Sequence, residues 1–246
     1  MMAAIKAEFR KLLTVRSTYI WTGFMLLLVI FIAFYPEGWR LNGAQLSDPM
    51  QLTDDVTGAL NILVFSAVIA TLLMTHEYRY NTIMYTLTSS PSRSRVLWAK
   101  LITISTYALL VTALVAVLSP LMSYLGVHVS GHSLVPQTID YGSLVWRALF
   151  YGWAYIVAAY ILAALIRNQI GAIVALFVIP TVEQLLGVLL KHNSVYLPFI
   201  ALNAVTQQPS PDQGVISHGR AAIVFGIYLI VGWIIAWVLF LKRDAN

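Results

Sequence analysis

The sequence predicts an all-α integral membrane protein that crosses the bilayer six times. Hydrophobic residues make up 59% of the 246 residues and charged residues only 10%, whereas a soluble domain is about a quarter charged. Six apolar runs each approach the roughly 20 residues that a helix needs to cross a membrane. Lysine and arginine concentrate in alternate connections between these runs, as the positive-inside rule requires of a multi-pass protein.

The N-terminal residues 3–16, AAIKAEFRKLLTVR, have the pattern of an amphipathic helix. The apolar face holds Ile5, Phe9, Leu12 and Leu13, and the other faces hold Lys6, Glu8, Arg10 and Lys11. Such a helix lies in the membrane interface with its basic residues near anionic lipid. We therefore predict an interfacial helix over residues 1–18, which either only anchors the first span or also contacts a partner protein.

Six spans follow this helix. They are Tyr19–Tyr35, Gly58–Thr75, Leu101–Leu125, Leu144–Ile166, Ile170–Leu190 and Ala221–Leu241. A basic leader precedes the first run, but no A-x-A-like cleavage site follows it, so we expect an uncleaved anchor rather than a signal peptide. Only RNQ at 167–169 separates the fourth and fifth spans, which predicts a tight helical hairpin. Residues 1–246 are thus expected to form a single transmembrane domain.

The basic residues predict the direction of the chain across the membrane. With the N-terminus in the cytoplasm, eleven of the fifteen lysines and arginines lie inside and four lie outside. We therefore expect both termini in the cytoplasm and a location in the plasma membrane, namely the cytoplasmic membrane of a prokaryote. This topology accounts for the net charge of +5 through contacts with membrane lipid, and we expect no nucleic-acid partner. The lack of cysteine excludes disulfides and thiolate chemistry.

Residues 76–100, HEYRYNTIMYTLTSSPSRSRVLWAK, form the richest polar segment between two predicted spans. Apolar residues at helical spacing within it are Tyr80, Ile83, Met84 and Leu87. Ser90 followed by Pro91 predicts the N-cap and first residue of a second helix that continues into the third span. We therefore predict a helical elbow at the membrane surface. This elbow is either a lipid-facing basic loop or a docking surface for a soluble protein.

The same segment carries a family pattern, E-x-R-x-x-T-I, then P-x-R, then K-L. Its residues are Glu77, Arg79, Thr82, Ile83, Pro91, Arg93, Lys100 and Leu101. The pattern resembles the first cytoplasmic loop of ABC-transporter permeases of the type-2 export class. The N-terminal EFRKLLTVRSTY is similar to the interfacial connecting helix of that family, and the predicted topology also matches. One departure is Asn81, where many members have glycine.

The resemblance implies that two permeases, identical or paired, each bind one cytoplasmic ATP-binding cassette ATPase. The elbow would couple closure of the ATPases to opening of the membrane path, with Glu77, Arg79 and Arg93 in ion pairs to the ATPase. The coupling residues implied are Glu77, Arg79, Thr82, Pro91, Arg93 and Arg95. ATP and magnesium would belong to the partner, because this chain lacks the G-x-x-x-x-G-K-[ST] phosphate loop. We expect a transport subunit without enzyme activity or a cofactor of its own.

Glu183 is the only acid within a predicted span. An ionisable residue at such a position is costly and is functional by default. Two interpretations stay open: Glu183 pairs with Arg147 of the adjacent fourth span, or it lines a translocation path together with its neighbour Gln184. The resemblance favours the second and fifth spans as pathway helices, and Asn61 is the matching polar residue on the second span.

The predicted outer loop over residues 191–220 contains the apolar stretch VYLPFIALNAV. That stretch is shorter than the roughly 17 residues that a span requires, so we expect a re-entrant or interfacial helix. His128 and His132 stand near each other in another outer connection. No third ligand accompanies them in the sequence, and we predict no metal site.

Two other function classes remain as alternatives, namely a transporter or channel that ATP does not drive, and a membrane scaffold protein. A secondary carrier usually has inverted repeats and ionisable groups near the midplane of the membrane, and this sequence has no visible repeat. A scaffold would not need a patterned elbow. The sequence therefore favours the exporter subunit.

Overall fold

The computed structural model describes residues 1–35, 57–80, 92–131, 141–207 and 214–242. Within these ranges the chain forms helices and turns without any strand. The helices are α1 Met2–Thr14, α2 Arg16–Tyr35, the short 3₁₀ helix η1 Ala59–Leu63, α3 Val64–Arg79, α4 Arg93–Val129, α5 Tyr141–Ile166, α6 Gln169–Leu190, the 3₁₀ helix η2 Lys191–Tyr196, α7 Pro198–Asn203 and α8 His218–Lys242.

Six of these segments are long and apolar enough to cross a membrane: α2, η1 with α3, α4, α5, α6 with η2, and α8. They confirm the predicted fold class of six membrane-spanning helices preceded by a separate N-terminal helix. The longest, α4, has 37 residues. At 1.5 Å per residue it is about 55 Å long, so it extends well beyond a hydrocarbon core of about 30 Å.

The start of α4 differs from the prediction. Ser92 has an extended backbone and is the N-cap, and its Oγ accepts a hydrogen bond from the Arg95 amide at 3.4 Å. The expectation that Ser90 caps this helix and Pro91 begins it is therefore wrong by two residues. The reason is that Ser92 offers the same hydroxyl acceptor two positions later.

Helix α5 lies at the centre of the bundle, where it packs against α3, α4 and α8. Small residues let neighbouring helices approach closely, as is common in membrane bundles. The buried alanines of α5 are Ala148, Ala154, Ala158, Ala159, Ala163 and Ala164. The fully buried Tyr160 donates its hydroxyl hydrogen to the carbonyl oxygen of Leu97 at 3.1 Å, which ties α5 to α4.

The α5–α6 connection is a tight hairpin. Arg167 adopts a left-handed backbone conformation with φ of 57°. Asn168 follows as the N-cap of α6, and its Oδ1 accepts a hydrogen bond from the Gly171 amide at 2.8 Å. The chain therefore reverses within two residues. At the far end of α6, η2 leads into α7, a short helix within the VYLPFIALNAV stretch that packs against α5, α6 and α8. Its re-entrant or interfacial placement stays a prediction.

Substitution of Gly152 by alanine should destabilise the bundle. A Cβ at this position of α5 would collide with the side chains of Thr112 and Leu63. We expect Gly152→Ala to lower the free energy of unfolding by about 1–3 kcal/mol, because overpacking forces neighbouring side chains to shift. Gly226→Ala is the matched control, since no described side chain and no backbone of another helix in the described ranges lies within 4 Å of the added Cβ. Equal unfolding transitions of the two purified variants in detergent would contradict this packing.

Candidate functional site

Four charged side chains meet inside one end of the bundle. We call Glu8, Lys11, Glu77 and Lys100 the ion-pair cluster. The ammonium group of Lys100 lies 2.9 Å from Glu8 Oε2 and 3.1 Å from Glu77 Oε1. Lys11 Nζ lies 2.7 Å from Glu8 Oε1 and also contacts Glu77 Oε1. Two cations and two carboxylates therefore balance each other.

Burial shows why the cluster needs all its members. The side chain of Lys100 is 1% exposed, that of Glu8 is 4% exposed and that of Glu77 is 10% exposed. Removing an ion from water costs several kcal/mol, and an opposite charge at close range is needed to offset that cost. Lys11 is the most accessible member, with 40% of its side chain exposed.

Lys11 keeps its charge in this setting. Burial by itself lowers the pKa of Lys11, but the hydrogen bonds and negative charges of Glu77 and Glu8 outweigh it and raise that pKa above its ordinary value. A raised lysine pKa means that the stabilising charge is fully present at neutral pH and is lost only in strongly alkaline solution. The cluster therefore does not switch within the physiological range through Lys11.

The cluster connects three elements that are distant in sequence. Glu8 and Lys11 come from α1, Glu77 from the last turn of α3, and Lys100 from the second turn of α4. The amphipathic prediction for α1 needs one correction, since Glu8 is buried whereas Leu13 is 56% exposed. Glu8 lies on the protein-facing side because its carboxylate pairs there with the buried ammonium group of Lys100.

The role expected for Glu77 also needs correction. The family resemblance implied that Glu77 pairs with an ATPase, but its Oε1 already contacts Lys11 and Lys100 and its side chain is largely buried. Arg79 is exposed, and its Nη1 donates to Gln169 Oε1 at 3.1 Å. Arg95 is exposed and Arg93 is partly exposed. Thr82 and Pro91 lie outside the described residues.

Sequence reasoning missed the contacts of Arg167. Its guanidinium lies over the rings of Tyr78 and Phe240 at 5.4 and 5.6 Å from their centroids. Its Nη2 also donates to the carbonyl oxygen of Leu239 at 3.2 Å. Arg167 thereby joins the α5–α6 hairpin to the ends of α3 and α8. We call the end of the bundle that holds α1, the ion-pair cluster and Arg167 the basic end.

At the opposite end, Glu183 is buried and caps a helix. Its Oε2 accepts hydrogen bonds from the backbone amides of Phe199 at 2.6 Å and Ile200 at 3.2 Å. These amides belong to the first turn of α7, where the helix leaves its N–H groups without internal partners. A carboxylate is also stabilised there by the helix dipole. Glu183 therefore holds α7 against α6.

The predicted ion pair between Arg147 and Glu183 is wrong. Arg147 Nε donates to the carbonyl oxygen of Ser143 at 3.1 Å, and its Nη1 lies 3.0 Å from His218 Nε2. His218 Nδ1 lies 2.9 Å from the carbonyl oxygen of Ala204. Both contacts are satisfied when the histidine proton is on Nδ1. The two side chains do not pair, because the carboxylate of Glu183 accepts hydrogen bonds from the α7 amides and the guanidinium of Arg147 contacts His218.

The other two predicted pathway residues are Asn61, which is hydrogen-bonded to Tyr151, and Gln184, the sequence neighbour of Glu183. Tyr151 donates its hydroxyl hydrogen to Asn61 Oδ1 at 3.1 Å and lies 3.4 Å from Asn203 Oδ1. Asn61 and Gln184 are both exposed. Tyr151 and Asn203 join η1, α5 and α7, and no sequence pattern had singled them out. A pathway role for Asn61 and Gln184 stays a prediction. Of the histidine pair, His132 lies outside the described residues.

Comparison with known protein families gives a match that covers most of the chain. A family model described as "ABC-2 family transporter protein" matches residues 4–183, almost three quarters of the chain. The matched part contains the whole ion-pair cluster and ends at Glu183. A sequence comparison with curated proteins found no match.

Removal of the buried cation should destabilise the fold strongly. Lys100→Met leaves Glu8 and Glu77 to share the single ammonium group of Lys11. We expect the free energy of unfolding to fall by about 3–5 kcal/mol, as for other broken buried ion pairs. Thermal unfolding in detergent measures the loss. Lys6→Met is the matched control, because Lys6 is an exposed lysine of α1. Coincident transitions of the two variants would refute the structural role of the cluster.

The capping role of Glu183 has a local readout. Glu183→Leu removes the acceptor of the Phe199 and Ile200 amides, and we expect these amides to lose hydrogen-exchange protection, with a destabilisation of about 1–3 kcal/mol. The neighbouring Gln184→Leu is the control, because Gln184 is exposed. Mass spectrometry of the peptide covering α7 measures the exchange. Unchanged protection in Glu183→Leu would show that other contacts hold this helix.

Proposed function

Since this chain belongs to the ABC-2 transporter family, we propose that it is the permease subunit of an ATP-driven exporter. The family membership and the six membrane-spanning helices make it a multi-pass membrane protein and a transport subunit. In the proposed complex, two permeases span the membrane and each binds one cytoplasmic ATP-binding cassette ATPase. ATP and magnesium bind to the ATPases, and this chain contributes no catalytic group.

The observation that carries the proposal is the position of the ion-pair cluster. Residues 81–91 connect the end of α3 to the start of α4, and Glu77 and Lys100 lie close to the two ends of this connection. Glu8 and Lys11 link both helices to α1. A displacement of the connection by a docked ATPase would therefore move α1, α3 and α4 together. Such a rigid linkage is what coupling ATP hydrolysis to the membrane path requires.

The charge of the basic end supports an acidic partner surface. In the described ranges the chain has three acidic residues, Glu8, Glu77 and Glu183, and all three are buried. The exposed charge of the described basic end is consequently positive, with Arg79 and Arg95 exposed beside the 81–91 connection. We assign the contacts with the ATPase to Arg79, Arg93 and Arg95, together with Thr82 and Pro91 from the connection itself.

The positive charge of the basic end also supports the proposed direction of the chain across the membrane. Basic residues near the ends of spans are retained in the cytoplasm, and the basic end carries α1, Arg79, Arg95 and Arg167. We propose that this end faces the cytoplasm, with both termini there, in a prokaryotic cytoplasmic membrane. Glu183, α7 and Arg147 would then lie toward the outer face.

The proposed second permease is another copy or a related chain. Helices α2, α6 and α8 expose many large apolar side chains in the single chain, among them Leu27, Leu185 and Ile223. In a bilayer, lipid covers part of such a surface and a second subunit can cover the rest. Asn61 and Gln184, both exposed, are proposed to line a path between the two copies.

Charge reversal at the basic end tests the proposal. The tagged chain is purified from its native membrane, and the associated ATPase is measured for Arg79→Glu and Arg95→Glu. We expect association to weaken about tenfold or more, because each reversal places a carboxylate against an acidic surface. Lys191→Glu, an exposed lysine at the opposite end, should retain the ATPase.

Three outcomes would contradict the proposal. Unchanged ATPase association in both arginine variants would make the elbow a lipid-facing basic loop. Absence of any copurified ATPase from the wild-type preparation, together with transport in vesicles that does not depend on ATP, would favour a transporter or channel driven by another source. A protein that folds but neither binds an ATPase nor transports a substrate would favour a membrane scaffold protein.

A further inference from the structure

A cavity of about 490 Å³ lies at the basic end between α1, α2 and α3. Its volume falls within the range of roughly 300–1,000 Å³ that is typical of ligand sites. Among the described residues assigned to the ATPase contact, namely Arg79, Arg93 and Arg95, none lines it. The cavity extends along α3 from Ile69 to Tyr80, a distance of about 16 Å at 1.5 Å per residue. It is thus long compared with a compact metabolite site.

The walls of this cavity change from apolar to polar along its length. On α3, Ile69, Leu72 and Leu73 come first, and His76 follows one turn nearer the basic end. On α2 the same order holds, because Trp21 lies deeper than Thr18 and Ser17. Two neighbouring helices therefore present the same gradient. A molecule that fits it has an apolar tail pointing into the membrane and a polar head at its surface.

The polar end of the cavity has unused hydrogen-bond donors. The Lys11 ammonium group has three hydrogens, and among the described residues two of its contacts are filled, by Glu8 and Glu77. The hydroxyl groups of Ser17 and Thr18 have no hydrogen-bond partner within the part of the chain that the structure describes. Lys11 lines the cavity and its side chain is 40% exposed, so we expect its third hydrogen to be available to a ligand there.

The charge around this end favours an anion. Glu77 is the acidic residue that lines the cavity, and Lys100 and Lys11 neutralise it. Arg10 on α1 and Arg16 at the start of α2 are exposed, and they are the sequence neighbours of the lining residues Lys11 and Ser17. A phosphate diester supplies one negative charge and unshared oxygens for the three free donors. A cationic choline or ethanolamine group would instead face these arginines.

We propose that this cavity binds one anionic phospholipid from the leaflet at the basic end. The phosphate accepts hydrogen bonds from Lys11, Ser17 and Thr18, and one acyl chain lies against Leu73 and Trp21. The site depends on the membrane-spanning fold and not on the proposed exporter, so either inference can fail without the other. Because Lys11 also binds Glu8 and Glu77, the lipid phosphate becomes a neighbour of the ion-pair cluster.

Native mass spectrometry of the full-length chain from detergent micelles tests this site. Dioleoylphosphatidylglycerol is added to the delipidated protein, with dioleoylphosphatidylcholine and glycerol 3-phosphate as separate arms. We expect one retained phosphatidylglycerol per chain, about tenfold weaker retention of phosphatidylcholine, and no binding of glycerol phosphate alone. Equal retention of the two lipids would overturn the selectivity for an anionic headgroup, because both lipids carry the same phosphate diester. Binding of free glycerol phosphate would overturn the role of the acyl chain.

Two variants locate the lipid in the cavity. Leu73→Trp fills its apolar part, with Leu27→Trp as the control on an exposed position of α2 outside the cavity. Thr18→Val removes one donor without changing shape, with Thr181→Val as the control at the opposite end. We expect each cavity variant to weaken phosphatidylglycerol retention about fivefold or more. Thr18→Val removes a hydrogen bond to the charged phosphate, and the ring added by Leu73→Trp occupies the space of the acyl chain.

Thermal unfolding separates loss of the site from loss of the fold. Thr18→Val is conservative and should unfold at the wild-type temperature when both proteins are lipid-free. Wild-type retention in Thr18→Val and Leu73→Trp would overturn the proposal. Equal losses in the cavity variants and their controls would also overturn it, because they would place the lipid in a nonspecific shell around the bundle.

Discussion

The buried ammonium group of Lys100 requires two carboxylates from other parts of the chain. Its nearest acceptors are Glu8 Oε2 at 2.9 Å and Glu77 Oε1 at 3.1 Å, and its side chain has almost no contact with solvent. An uncompensated charge in such a place would cost several kcal/mol, so α1 and the end of α3 must both reach α4. The attachment of the N-terminal helix to the bundle, and the closeness of the two helices that flank residues 81–91, follow from this one requirement.

The same cluster lies between the two surfaces for which we propose ligands. The ATPase surface involves Arg79, Arg93 and Arg95 around the 81–91 connection, and the lipid cavity shares Lys11 and Glu77 with the cluster. Ion pairs across helices resist separation, because a buried charge that loses its partner costs several kcal/mol. In the proposed exporter, this property suits a joint that transmits motion from a docked ATPase while it remains bound to membrane lipid.

At the opposite end of the bundle, a buried carboxylate is stabilised by different groups. Glu183 is buried like Glu77, but its partners are backbone amides of α7 instead of lysines. The first turn of a helix supplies several free N–H donors without any counterion, and a short helix such as α7 gains a fixed position from the bond. Arg147 contacts His218 instead, and this contact connects α5 and α8. Each end of the bundle is therefore held together by polar contacts between helices that apolar packing alone would not orient.

Local patterns in the sequence were enough to determine the six spans, the separate N-terminal helix, the tight turn at 167–169 and a short helix within 191–220. These features depend on hydrophobicity and spacing over neighbouring residues, which the chain displays directly. The family pattern around Glu77 and Arg79 likewise agrees with the ABC-2 family match. The partners of the buried charges were decided only by the tertiary structure. Glu8 and Lys100 stand 92 positions apart, and Lys11 and Glu77 stand 66 positions apart. Only the packing of α1, α3 and α4 brings them within hydrogen-bond distance. The strength of an ion pair depends on the distance between the charges and on their burial, and the residue pattern of a single helix determines neither.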